Sequence, residues 1–151
     1  MKLLVAAISP ARARGGSGAA DTLTADYIVR ASRYLPCEAA IYNSEGALLT
    51  WIDRQSARTA PHLVLLDSRG KELSSEEFAA YLGRIRDSGM QSLIFGVGPA
   101  DGWSADARAR ADLVLSFGPI TLPHELARVV LAEQVYRALT ILAGHPYHSG
   151  H

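Results

Sequence analysis

The part of the chain that most restricts the possible fold is its C-terminal quarter. A short apolar run, Leu113–Leu115, has the length and composition of a buried strand. A loop follows at Ser116–Pro119, and Pro123 stands where a helix can begin, because the N–H that proline lacks would be unpaired there anyway. Apolar residues then recur at helical spacing as far as Gly144, which predicts a long amphipathic helix, and Pro146 prevents its continuation.

Upstream of this segment, apolar runs alternate with helical patterns. The apolar runs predict four more strands, at Leu3–Ile8, Glu38–Tyr42, Leu63–Leu66 and Ser92–Phe95. The helical patterns predict helices at Thr22–Leu35, Ala47–Arg58, Ser74–Asp87 and Ser104–Arg110, the third of which begins with a capping box. Ser68–Lys71 is interpreted as a tight loop after the third strand. The alternation is typical of an α/β fold with a mainly parallel sheet and helices on both faces, here as one domain of residues 1–151.

Composition narrows the class of protein. Hydrophobic residues make up 48% of the chain and charged residues 20%, which indicates a globular protein. A formal net charge of zero argues against a strongly cationic, non-specific nucleic-acid binder, although local basic patches still permit RNA binding. The single cysteine, Cys37, cannot form an internal disulfide, and this favours a reduced, cytoplasmic setting.

The N-terminal region superficially resembles a signal peptide. Its apolar run is short, and Arg12 and Arg14 follow it closely, so a first β-strand is the better interpretation. We interpret Ser9–Ala20 as a loop whose arginines can contact RNA. No run in the chain reaches the roughly 18 apolar residues that a membrane span needs, and we expect no membrane association.

Three predicted loops carry residues suited to a small ligand. In open α/β sheets, ligands lie at the carboxyl ends of the strands. The loops that follow strands three, four and five contain Leu66–Asp67, Gly96–Gly102 and Ser116–Leu122. Glycines there let the backbone approach a flat ligand closely. Each loop alone is also compatible with an ordinary tight turn, but three loops at one sheet edge predict a binding site.

Longer parts of the sequence resemble a known family. The residues that carry the resemblance are Ser116–His124, Leu131–Ala138 and Gly144–His148, with support from Leu65–Lys71 and Gly98–Gly102. Together they resemble the signature of the RlmH family, the SPOUT-class methyltransferases that methylate N3 of pseudouridine 1915 in 23S ribosomal RNA. The resemblance covers about residues 62–148. The second loop departs from the usual family pattern of two adjacent glycines, because Pro99 follows Gly98 in this chain.

The resemblance implies a fold, a cofactor and partners. The fold would be of the SPOUT type with a C-terminal trefoil knot. The protein would act as a homodimer on 23S rRNA in the assembled ribosome. The cofactor would be S-adenosyl-L-methionine. The residues at positions matching the family's cofactor loops are Leu66, Gly98, Phe117, Gly118, Pro119, Ile120, Thr121 and Leu122.

Methylation of a pseudouridine at N3 requires that the imide proton leave, and a histidine suits this task because it titrates near neutral pH. His124 stands at the start of the last helix, where the helix dipole would keep the ring neutral; a capping or core hydrogen bond is its alternative role. In the polar-aromatic tail, Tyr147 can stack on a splayed base and His148 can act as a base. His124, Tyr147 and His148 are therefore the catalytic candidates, and the sequence leaves open which histidine is the base.

Two further residues are candidates for RNA contacts. His145 lies in the same tail, and Arg128, on the last helix, can contact an RNA phosphate or the cofactor carboxylate. Arg137 can pair with Glu133, four residues earlier. His145 and His148 do not predict a metal site, because a proline lies between them and no cysteine or carboxylate cluster is near.

A second class of function stays open from the sequence. The chain can be a non-catalytic RNA- or ribosome-binding module that keeps the fold, since Pro99 removes a backbone donor from the second loop. Calorimetric titration with S-adenosylmethionine separates the enzyme from such a module.

Overall fold

The computed structural model describes residues 1–10, 18–55 and 59–149. The described elements, in chain order, are β1 (Lys2–Ile8), α1 (Gly18–Ala31), β2 (Cys37–Tyr42), α2 (Glu45–Gln55), β3 (His62–Glu72), α3 (Ser75–Asp87), β4 (Ser92–Val97), α4 (Ala105–Arg110), β5 (Leu113–Ser116), α5 (His124–Ala143) and a 3₁₀ turn (Pro146–His148). The strands form one sheet in the order β2-β1-β4-β3-β5, and every neighbouring pair is parallel. Arg12, Arg14 and Arg58, which entered the sequence predictions, lie outside the described residues.

Helices cover both faces of the sheet. Helices α1, α3 and α5 pack on one face around Phe78, Phe95 and Leu131. Helices α2 and α4 pack on the other face around Leu48, Trp103 and other apolar residues. Strand β1 is buried on both faces, which explains its unbroken apolar sequence. The predicted parallel α/β architecture is confirmed; the C-terminal trefoil knot stays a prediction.

The segment predicted as a tight loop at Ser68–Lys71 is instead part of strand β3, so that prediction was wrong. Strand β3 runs on to Glu72, and its pairing with β5 shifts register between Leu66 and Lys71. At Gly70 the two strands lie so close that a Cβ would stand 2.6 Å from the carbonyl carbon and oxygen of Val114. Glycine is therefore needed at this position because the backbones of β3 and β5 lie in close contact. Pairing with β5 keeps the segment in strand β3 despite its loop-like composition.

The helix boundaries differ from the predictions by a few residues. Helix α1 lies four residues earlier than predicted, and Ser32 ends it by donating its hydroxyl to the carbonyl of Ile28. The capping box of α3 is confirmed: the Ser74 hydroxyl accepts from the Glu77 amide at 3.1 Å, and the Glu77 carboxylate accepts from the Ser74 amide at 2.9 Å.

Helix α5 ends as the sequence predicts. Gly144 adopts a left-handed conformation (φ 71°), and its amide donates back to the carbonyls of Ile141 and Thr140. Pro123 precedes the first helical residue instead of being that residue. Within the described part of the chain, no helix is long and apolar enough to cross a membrane.

Candidate active site

A cavity of about 540 Å³ opens at the carboxyl edge of the sheet, a size typical of small-molecule sites. Its walls are formed by three segments, together with Ala127 of α5. The first segment is residues 66–69, the second is residues 97–102 and the third is residues 115–124. All the residues predicted to bind the cofactor lie in these walls, and they are Leu66, Gly98, Phe117, Gly118, Pro119, Ile120, Thr121 and Leu122. The three segments therefore line one cavity, as expected from the sequence, while their role as a binding site and the role of each residue stay predictions.

The glycines of the second loop owe their identity to packing. A Cβ on Gly96 would lie 2.8 Å from the Trp103 ring, and a Cβ on Gly98 would lie 2.7 Å from Nε1 of the same indole. The buried Trp103 ring therefore lies directly against the backbone of β4. Sequence reasoning attributed Gly98 to ligand approach, but its missing side chain makes room for an indole on the opposite side of the loop. Trp103 itself does not line the cavity but supports the backbone of the loop that does.

Asp67 connects residues 66–69 to the loop that follows β4. The sequence placed Asp67 in a ligand-binding loop and did not predict this structural contact. Its carboxylate is almost fully buried and accepts hydrogen bonds from the Arg69 amide at 3.0 Å, the Arg69 guanidinium at 2.7 and 2.8 Å, and the Trp103 amide at 3.3 Å. The Arg69 hydrogen bonds outweigh burial and lower the pKa of Asp67 to about 2. Arg69 also donates to the Trp103 carbonyl at 3.1 Å. The only sequence signal was a carboxylate two residues before an arginine, directly after the run predicted as the third strand.

The third segment presents apolar side chains to the cavity mouth. Ile120 is 78% exposed and Phe117 is 36% exposed, although both line the cavity. The buried Ser116 hydroxyl accepts from the Gly118 amide at 3.0 Å and holds the turn. Gly118 has a φ of 106°, which only glycine adopts without strain. Exposed apolar side chains around a cavity of this size suit a flat, partly apolar ligand.

His124 joins the third segment to the second. Its Nδ1 lies 2.8 Å from the carbonyl oxygen of Gly98. A carbonyl can only accept, so Nδ1 carries a proton, and in the neutral ring Nε2 is then the acceptor. The structural role and the role as a base, which the sequence left as alternatives, are compatible, because they use different nitrogens.

The tail, residues 145–149, lies against α5 and does not line the cavity of its own chain. The Tyr147 ring meets the Tyr136 ring edge-on at a centroid distance of 4.6 Å, and its hydroxyl donates to Glu133 at 3.0 Å. Burial, and then the hydrogen bond to Glu133, raise the pKa of Tyr147 to about 12. The phenol therefore stays protonated at neutral pH and is not a base.

His148 bridges two helices. Its Nδ1 lies 2.9 Å from the Arg137 guanidinium, and its Nε2 lies 2.7 Å from the Glu76 carboxylate. Because a guanidinium only donates and a carboxylate only accepts, Nε2 carries the proton in this arrangement. Arg137 also pairs with Glu133 at 2.7 Å, which confirms the predicted i,i+4 pair.

The two predicted RNA contacts lie in different surroundings. His145 is exposed, and its Nδ1 accepts from the Tyr147 amide at 3.2 Å, so it caps the 3₁₀ turn. Arg128 is 7% exposed and pairs with Asp21 of α1, so its guanidinium is largely enclosed between α1 and α5. Among the residues that the structure describes, no group of three or more histidines, cysteines and carboxylates could hold a metal ion.

Comparison with known proteins identifies the family. A sequence model described as predicted SPOUT methyltransferase matches residues 1–148. The chain belongs to the SPOUT methyltransferase family. It is 57% identical over 133 residues to ribosomal RNA large subunit methyltransferase H from Koribacter versatilis, a match that covers 88% of this chain and 90% of that protein. The protein of the same name from Brucella ovis is 59% identical over 86 residues, which are 57% of this chain and 51% of that protein.

Solved structures of other methyltransferases share the SPOUT fold at low identity. The SpoU methyltransferase AviRb from Streptomyces viridochromogenes, in complex with the cofactor AdoMet, is 17% identical with a TM-score of 0.54 and covers 95% of this chain. A probable methylase family protein from Haemophilus influenzae is 8% identical with a TM-score of 0.55 and covers 94% of this chain. This chain spans 59% and 66% of those two proteins.

Proposed function

We propose that this SPOUT methyltransferase uses S-adenosylmethionine to methylate large-subunit ribosomal RNA. The observation that carries the proposal is that one cavity is lined by every residue matched to the family's cofactor loops. A relative named as a large-subunit rRNA methyltransferase matches 88% of this chain, which supports the substrate class. The finer target that we propose is N3 of pseudouridine 1915 in 23S rRNA. The cytoplasm, where ribosomes assemble, is the expected location.

The cavity walls fit the proposed cofactor. Phe117, Ile120 and Leu122 offer apolar surface for an adenine ring, and the glycine- and proline-rich turns expose backbone groups for its polar edge. Arg69 lines the same cavity and is half exposed, so its guanidinium can pair with a carboxylate. Pro99 lies in the wall too, and its carbonyl accepts from the Gly102 amide at 2.9 Å, which closes the second loop into a turn.

The chemistry requires an aligned acceptor and a route for one proton. The cofactor supplies an electrophilic methyl group on a sulfonium. When the methyl group is transferred, the N–C bond would form as the C–S bond breaks, and the imide proton would pass to a base of the protein. His124, held by Gly98 through Nδ1, can take that proton at Nε2. Alignment of the two reactants can lower the activation free energy further, by up to roughly 7–11 kcal/mol in well-oriented systems.

The tail requires a second chain if it is to act at this cavity. Tyr147 and His148 belong to the 3₁₀ turn that packs against α5, and they lie outside the cavity of their own chain. In a homodimer, the tail of one subunit can complete the site of the other, with Tyr147 stacking on the target base. Light scattering at micromolar concentration should give about twice the chain mass of 16.2 kDa. A monomer would count against this arrangement.

Removal of the tail tests its role directly. We expect a variant that lacks residues 145–151 to bind S-adenosylmethionine with unchanged affinity, because no wall of the cavity is removed. Its methyl transfer should be abolished. Retained turnover in the truncated protein would show that the tail only packs on α5.

Ribosomal RNA from a strain lacking the gene tests the function as a whole. Mass spectrometry should show one methyl group missing from a fragment of 23S rRNA, and restoration when the gene returns. Calorimetry with S-adenosylmethionine separates the enzyme from the alternative, a non-catalytic RNA- or ribosome-binding module, which would bind ribosomes and not the cofactor. Unchanged rRNA methylation in the deletion strain would refute the proposal.

A further inference from the structure

A second cavity, of about 350 Å³, adjoins the cofactor cavity. It lies between the start of α3, the middle of α5 and the third segment. The residues that line both cavities are Leu115, Ser116, Phe117, Gly118 and Leu122. One wall therefore separates the two spaces, and a molecule in the second cavity would lie beside a ligand in the first.

Five residues with polar side chains line the second cavity: Glu72, Ser74, Ser75, Ser116 and Gln134. Glu72 is exposed, and the hydroxyls of Ser74 and Ser116 accept from nearby backbone amides. Ser75 and Gln134 are oriented by hydrogen bonds between side chains. The Ser75 hydroxyl donates to the Gln134 amide oxygen at 2.7 Å, and the Gln134 amide nitrogen donates to the Glu133 carboxylate at 2.8 Å. Since a carboxylate only accepts, the amide nitrogen must face Glu133. An amide nitrogen carries two protons, so Gln134, which lines this cavity, has a second N–H besides the one that Glu133 accepts.

The remaining lining suits a planar ring. Phe78, Phe117 and Val130 contribute apolar surface, and Leu122 forms part of the shared wall. Aromatic and branched side chains of this kind hold a base by its faces, and polar groups at the rim of the ring then contact its edge.

We propose that the second cavity holds the base of the methyl-accepting nucleotide, and that Gln134 selects a base whose reactive ring nitrogen is flanked by a carbonyl. This inference rests on the proposed function and names its acceptor subsite. The free N–H of Gln134 would donate to that carbonyl oxygen. The same N–H would stabilise the negative charge that develops on the oxygen when the ring nitrogen loses its proton. The equivalent ring nitrogen of a cytosine-type base is flanked by a carbonyl on one side and by an amino group on the other, so an N–H of Gln134 that faced the amino side would meet a second donor.

The location of Gln134 also connects this subsite to the tail. Glu133 accepts from Gln134, from the Tyr147 hydroxyl and from Arg137. One carboxylate therefore fixes both the amide of the second cavity and the tail of the same chain. Ser75 acts from the other side, as a positioning residue that holds the Gln134 oxygen.

Gln134→Leu tests the subsite, because it keeps the side-chain volume and removes the amide. The assay uses large ribosomal subunits from a strain lacking this protein, with calorimetry for S-adenosylmethionine. We expect kcat to fall at least about tenfold while the cofactor Kd changes less than about twofold. The matched control is Gln91→Leu, the same change at an exposed position before β4, which should leave both quantities unchanged.

Other outcomes would overturn the inference in distinct ways. Full turnover in Gln134→Leu would remove the subsite and leave the proposed function standing. An equal loss of cofactor affinity would assign the second cavity to the cofactor. A change of molecular mass in light scattering, with turnover kept, would make the cavity a contact surface for a second copy. A wild-type protein that methylates no subunits would refute the proposed function itself.

A second pair of variants decides the matter if Gln134→Leu does not fold. Ser75→Ala removes the hydroxyl that orients Gln134, whereas Ser75→Thr keeps it at the same position of α3. We expect kcat to fall in the alanine variant and to recover in the threonine variant, with cofactor Kd constant in both. Equal turnover in the two variants would refute the positioning role of Ser75 and, with it, the proposed subsite.

Discussion

The cofactor cavity and the tail are built in opposite ways. The cavity is shaped mainly by backbone, in glycine and proline turns, and two side chains hold those turns in place: the buried carboxylate of Asp67 and the indole of Trp103. The tail is shaped by side chains, since Tyr147 and His148 are held by Glu133, Arg137 and Glu76. Main-chain turns therefore determine the shape of the cavity, whereas hydrogen bonds and ion pairs between side chains hold the tail in place.

The largest effect should come from Gly98→Ala in the cavity. The new Cβ would lie 2.7 Å from Nε1 of Trp103, and the rigid ring is already wedged against Gly96. Overpacking of this kind costs about 3 kcal/mol at the upper end of its range. We expect a melting temperature lower by several degrees and an affinity for S-adenosylmethionine reduced by at least about tenfold. Thermal unfolding and calorimetry measure both.

Gly46→Ala is the matched control for that variant. Gly46 lies exposed in α2, and a Cβ there would meet only the Ser44 hydroxyl at 3.9 Å. Alanine should stabilise the helix slightly, by up to about 1 kcal/mol. If Gly98→Ala were as harmless as Gly46→Ala, the indole would not set the position of the second loop, and the contrast between the two regions would lose its main support.

Asp67→Asn should have the next largest effect, and it should depend on pH. The pKa of Asp67 is lowered from its ordinary 3.8 to about 2, so its ion pair stabilises the fold above pH 4 and this contribution is lost as the pH falls towards 2. The shift corresponds to about 2 kcal/mol at most, and less in practice, because Arg69 is half exposed. Urea unfolding should show a difference between variant and wild type that is constant from pH 7 to 5 and shrinks below pH 4.

Asp53→Asn provides the comparison for that experiment. Asp53 pairs with Arg110 at 2.6 Å, but its side chain is 64% exposed. A solvated pair of this kind contributes little. A pH dependence of the same size in both variants would mean that the buried carboxylate does not brace the cavity wall.

The same contrast explains what the sequence could predict. Parallel strands place their carboxyl ends at one edge of the sheet. Once the strands were predicted, Leu66, Gly98 and Gly118 could therefore be expected at the same edge. The pairing partners of Asp67 and Gln134 were not predictable, because the contacts of Asp67 with Trp103 and of Gln134 with Ser75 join residues that only the tertiary fold brings together. Local composition also gave a wrong prediction. Ser68–Lys71 has the composition of a loop, but it continues strand β3, and its last residue pairs with β5.

The smallest effect should come from Tyr147→Phe, which separates the hydroxyl of the tail from its ring. The variant loses the hydrogen bond to Glu133, worth about 1 kcal/mol, and keeps the edge-on contact with Tyr136. The melting temperature should fall by about 3 °C, and Tyr34→Phe, the same change on another ring that packs against Tyr136, provides the control. The raised pKa of about 12 keeps the phenol protonated, so the difference should be flat between pH 6 and 9.

Turnover in the same variant sharpens the proposed role of the tail. If Tyr147 stacks on a base, the phenylalanine ring preserves that contact, and turnover per folded molecule should stay near the wild-type value. Tyr147→Ala should then lose turnover by far more than its lower stability explains. Equal turnover in Tyr147→Ala and Tyr147→Phe, with only the melting temperature changed, would assign the ring to packing on α5, and the tail would have no part in the reaction.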